Sequence, residues 1–152
     1  AELLKIADEF GVVPMVEVWG FSKTLNKLGE AAYVAIESGH PKACVLPDVF
    51  HLYKGGSPLE GIRLLSPSAI QVFHVNDYPG SPEREKLTDA DRVYPGDGVA
   101  PYGKLLKLLR DGGFKVMLSL ELFNREYWKQ DALTVARTGI EKMKALVQAS
   151  EA

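Results

Sequence analysis

The chain has 152 residues, enough for one domain with a buried core, and 46% of them are hydrophobic, an ordinary share for a globular protein. A net charge of −2, a pI near 5.9 and the lack of any basic run leave no footing for a phosphate backbone or an anionic membrane, so neither nucleic acid nor membrane is expected as a partner. No stretch approaches the roughly 18 unbroken apolar residues of a membrane span. The first ten residues do not read as a secretion signal, and the single Cys44 allows no internal disulfide, so a cytoplasmic protein is the expectation.

Residues 1–10 place Leu3, Leu4, Ile6, Ala7 and Phe10 at helical spacing, with Gly11 as a stop. Val12–Trp19 (VVPMVEVW) is a short β-branched strand ending in a carboxylate, weakened at Pro14, which has no N–H to give a ladder. Thr24–Ser38 predicts a helix closed by Gly39 and Pro41, and Ala43–His51 (ACVLPDVFH) a second strand. Ser57–Pro67 predicts a short helix, followed by a third strand over Ala69–Asp77 (AIQVFHVND). Residues 78–98 are rich in Pro, Gly and charge, and a loop this long inside a domain is usually functional. Pro101–Gly113 predicts a helix, Phe114–Phe123 (FKVMLSLELF) a fourth strand, and Asp131–Ala149 a terminal helix capped near Asp131. The expected architecture is α/β: one domain over 1–152, with a preceding helix and then four βα units over 12–149 around a parallel sheet.

Each strand runs apolar and then presents a ligand-type group: Glu17, Asp48, His74 and Glu121. In a parallel barrel all strands point one way, so residues at their C-terminal ends converge on one rim, where such barrels do chemistry. Alternation along the strands would put Val13 and Met15 under Glu17, and Met117 and Ser119 under Glu121, in the barrel interior. Taken singly, each acidic residue reads as a solvated loop group or cap; the recurrence in four strands is what points to a shared site. Three carboxylates and one imidazole form a hard, oxygen-rich set that suits one Mn²⁺, Mg²⁺ or Co²⁺ ion and admits Zn²⁺.

These residues resemble the xylose isomerase-like TIM barrels, a family of sugar isomerases and epimerases, inosose dehydratases and AP-site endonucleases. The resemblance spans the chain but only strands five to eight of the eight-stranded barrel. It rests on Asp48-Val-Phe-His51, on His74-Val-Asn-Asp77, on Arg92-Val-Tyr-Pro95-Gly96-Asp97-Gly98, and on Ser119-Leu-Glu121-Leu-Phe-Asn124, which is most similar to the isomerase/epimerase branch. It implies Glu17, Asp48, His74 and Glu121 as metal ligands, and proton transfer on a ketose or related polyol through a metal-stabilised enediolate. Glu17 and Glu121 would be the acid–base pair, and His51, Arg92 and Trp19 would contact a small sugar substrate. Arg92 reads equally well as a solvated loop cation.

A dehydratase is the nearest alternative. The endonuclease branch fits less well, because its Asp-Arg-His is Asp91-Arg92-Val93 here. A full barrel takes about 250 residues, so the expectation is a half-barrel that meets a missing half, or a second copy, through exposed strand edges. By itself it would be a weak or inactive catalyst.

Overall fold

In the computed structural model, residues 1–151 are described. The elements run α1 (Glu2–Glu9), β1 (Val16–Glu17), α2 (Leu28–Glu37), β2 (Val45–Leu46), α3 (Val49–Gly55), β3 (Val72–Val75), α4 (Tyr102–Asp111), β4 (Met117–Leu120), α5 (Arg125–Trp128) and α6 (Ala132–Glu151). β1 pairs parallel with β2, and β3 with β4. Parallel bridges between Val45 and Ile70 and between Asp48 and His74 join the two pairs, with His74 N–H donating to Pro47 O at 2.9 Å. All four strand ends therefore face the same way.

The strands alternate between two environments. Phe73 and Val75 are buried against the helices, together with Val18, Val45, Leu52, Ile62, Ile70, Leu105 and Leu109. His74, between Phe73 and Val75, points to the opposite face. That face is uncovered at β4, where Met117 is 68% exposed rather than an interior filler. Burying a Phe or Leu side chain contributes roughly 1.5–3 kcal/mol, so the helix-facing layer carries the stability. Among the described residues, no helix is long and apolar enough to cross a membrane.

All four strands are shorter than the sequence expectation, and other boundaries differ as well. The second strand stops at Leu46, because Pro47 has no N–H and Asp48 turns the chain into α3 by accepting the His51 N–H on Oδ1 at 2.8 Å. Helix α2 begins at Leu28 instead of Thr24, because Ser22 Oγ takes the N–H groups of Thr24 and Leu25 at 3.1 and 2.9 Å and holds them in a turn. The short α5 was not anticipated; Asn124 caps it by accepting the Glu126 N–H at 3.0 Å. The terminal helix follows its expected cap, with Asp131 Oδ1 accepting from Thr134 N–H at 2.9 Å.

Candidate metal centre

Glu17 ends β1, Asp48 opens α3 just beyond β2, His74 lies in β3, and Glu121 follows β4 and is tied to β3 by its N–H donating to Val75 O at 3.3 Å. The bridges between strands draw these positions together. Glu17, His74 and Glu121 each offer a donor atom within 4.8 Å of the other two. His74 Nδ1 lies 3.4 Å from Glu121 Oε2, 3.6 Å from Glu17 Oε1 and 3.9 Å from Asp48 Oδ2. This nitrogen is buried and has no hydrogen-bond partner.

A buried nitrogen without a partner, ringed by carboxylate oxygens, suits a small divalent ion, which would take lone pairs from all of them. Without such an ion the ring holds a proton instead: Glu121 first and Glu17 next push the His74 pKa up to about 10, against the opposing effect of burial. Reciprocally, His74 and then Arg92 hold the Glu121 carboxyl below the usual range. Asp48 is fully buried; burial pushes its pKa up, opposed by Arg92, His51 and Asn76. Its Oδ1 caps α3, and its Oδ2 accepts from Asn76 Nδ2 at 2.8 Å and from Arg92 Nη1 at 3.1 Å.

Arg92 is wholly buried and is not a solvated loop cation. Its Nη1 also donates to Glu121 Oε2 at 2.9 Å, its Nε to Asp89 Oδ1 at 3.0 Å, and its guanidinium lies 4.7 Å from the Phe50 ring centre and 5.0 Å from that of Phe123. Its Nη2 lies 2.9 Å from His51 Nε2. A guanidinium only donates, so His51 Nε2 accepts and the ring proton sits on Nδ1. Burial and Arg92 both push the His51 pKa down, although Asp48 opposes them. His51 Nδ1 is the second buried nitrogen without a partner. Trp19 is half exposed and packs on Phe21, which meets the His51 ring edge-on at 5.9 Å.

Asn76, Asp89 and Phe21 escaped the sequence reading. Asn76 stood inside the His74-Val-Asn-Asp77 segment, and its amide also accepts the Phe50 N–H at 3.0 Å. Asp89, three residues before Arg92 in a charged loop, carried no signal of its own.

A family profile described as xylose isomerase-like TIM barrel matches residues 1–146, and the chain belongs to that family. Among curated proteins it is 33% identical over 141 residues to an inosose isomerase of Bacillus licheniformis, covering 92% of this chain and 50% of that protein. It is 31% identical over 138 residues to an inosose isomerase of Bacillus subtilis strain 168, covering 90% and 49%. The chain thus spans about half the length of the curated relatives it matches. A solved structure of IOLI protein with a binding zinc atom superposes at a TM-score of 0.90 with 29% identity, covering 98% of this chain and 54% of that one. An L-ribulose 3-epimerase superposes at 0.75 with 16% identity, covering 99% and 52%, which speaks for the fold.

Proposed function

We propose that this chain is the C-terminal half of a (β/α)₈ barrel that isomerises or epimerises a ketose or related cyclic polyol with the help of one divalent metal ion. The observation that carries this reading is His74 Nδ1, buried and without a partner, with Glu121, Glu17 and Asp48 oxygens at 3.4, 3.6 and 3.9 Å. The inosose isomerases among the relatives, and the zinc in the IOLI structure, support it.

Glu17, Asp48, His74 and Glu121 would hold the ion, which supplies Lewis acidity toward a substrate carbonyl oxygen. Glu17 and Glu121 reach the site from the first and fourth strands. One takes the proton next to the carbonyl and the other returns it, so the configuration or the carbonyl position changes with no net loss of atoms. His51 would hold a substrate oxygen, Arg92 orients Asp48 and Glu121, and Trp19 lines the rim.

The half-barrel reading is supported by two uncovered edges. Leu3 and Ile6 on α1, Phe10 just after it, and Tyr33 and Ile36 on α2 are exposed beside β1, and Met117, Leu133 and Ile140 are exposed on β4 and α6. Apolar groups at unpaired strand edges call for a cover. Sedimentation of the protein as a closed monomer with no further strands would overturn this part.

The function is tested by titrating the protein with Mn²⁺, Mg²⁺ and Zn²⁺ and assaying inosose and ketose substrates. The expected result is one bound ion per site, lost in His74→Ala, with isomerised product. Ion binding that survives His74→Ala removes the site, and a dehydrated product reassigns the enzyme as a lyase.

A further inference from the structure

We infer that Asp77 is a positioning residue, fixing the loop after β3 so that Arg92 is delivered to Asp48 and Glu121. The role rests on the metal-centre reading above. Asp77 is 1% exposed, and its charge is met by main-chain N–H groups: Oδ1 accepts from Tyr78 at 2.8 Å and Ala100 at 2.8 Å, and Oδ2 from Gly96 at 3.0 Å. A single carboxylate thereby ties the start of the loop to its end.

The backbone of Asp77 does the rest. Its N–H donates to Val93 O at 2.8 Å, and Val93 N–H returns a bond to Asp77 O at 2.9 Å, an antiparallel bridge next to Arg92. On the other side of Arg92, Asn124 Nδ2 donates to its carbonyl at 3.0 Å. The peptide carrying Arg92 is therefore held from β3 and from the segment after β4, and only the side chain turns inward. Gly98 completes the staple: a Cβ there would overlap Tyr78 O and Asp77 Oδ1, so the Pro95-Gly96-Asp97-Gly98 turn closes on the carboxylate only with no side chain at that position.

Asp77→Asn is nearly the same shape, but its Nδ2 would face the Gly96 N–H, two donors against each other. Gly98→Ala presses on the same contact from the opposite side. In the folded full chain, checked by far-UV circular dichroism, the Arg92 Nε–H should give a slowly exchanging ¹H–¹⁵N signal, identified by its loss in Arg92→Lys. Both variants should merge that signal with those of the exposed arginines. Asp77→Asn should lower kcat roughly 10- to 100-fold, the usual effect of losing a group that orients a metal ligand. In an Arg92→Lys background it should cost nothing more, because its effect passes through Arg92. A wild-type Arg92 signal in both variants overturns the proposal, as does a turnover cost that multiplies in the double variant. If the wild-type chain shows no turnover even when joined to the other half of its barrel, the function proposed above falls, and the Arg92 signal still decides the role of Asp77.

Discussion

Arg92 Nη1 lies 3.1 Å from Asp48 Oδ2, and both side chains are completely withdrawn from solvent although 44 residues separate them. The pair joins the cap of α3 to the loop after β3, and the same nitrogen continues to Glu121. Asp48 is thus a buried anion whose nearest cation comes from a loop.

Removing that cation leaves Asp48 in low dielectric with His51 N–H, Asn76 and the His74 ring at 3.9 Å for support. Arg92→Met is expected to cost about 3–5 kcal/mol, the usual penalty for breaking a buried pair from one side. Urea unfolding of the metal-free protein checks it. Arg92→Lys should restore only part, since an ammonium cannot span Asp48, Glu121, His51 and Asp89 together. A loss under about 1 kcal/mol would mean that water reaches Asp48 as readily as the guanidinium does.

The His74 ring is expected to make the chelated protein alkali-sensitive. Its folded pKa of about 10 lies above the ordinary 6.5, so the stability linked to its proton is complete below about pH 6.5 and is lost as pH rises through 10. Melting temperature should therefore fall between pH 7 and 10 in excess chelator, and the His74 Cε1–H resonance should titrate near the upper end. A resonance titrating near 6.5 would disprove the carboxylate cage around Nδ1.

Glu17→Gln and Glu121→Gln separate the acid–base pair from the scaffold. Both side chains are partly exposed, at 43% and 29%, so folding should survive. Loss of a positioned acid or base lowers turnover by about 10²–10⁴-fold. Steady-state kinetics on an active substrate supplies the check, and a variant with unchanged kcat removes its residue from proton transfer.

Lys54 should control the outer part of the same loop. Its ammonium donates to the carbonyls of Arg84, Glu85 and Leu87 at 3.0, 2.8 and 2.8 Å and sits 4.9 Å from the Phe21 ring centre. Lys54→Met keeps the stem but leaves three carbonyls without a donor. Faster hydrogen exchange and proteolysis across residues 84–87 are expected, with the strands unaffected; unchanged protection would show that the loop holds itself.

The alternation of strands and helices, and the place of a ligand-type residue after each apolar run, were determined by the sequence alone. Both are written in neighbouring residues: Val72, Phe73 and Val75 mark β3, and Leu105 and Leu109 mark one face of α4. Pro47 and Asp48 also carried a local stop and cap, but the expected strand ran past them to His51, because the cap is evident only once Asp48 is seen to accept the His51 N–H. Only the tertiary structure decided where Arg92 goes. From residues 78–98 it reads as a cation in a polar loop, and nothing nearby in sequence says that Asp77 closes that loop or that Asp48 and Glu121 wait at its inner side. Those partners belong to β-strand ends brought together by parallel pairing, and a contact between residues 29 and 44 positions apart has no periodicity to betray it.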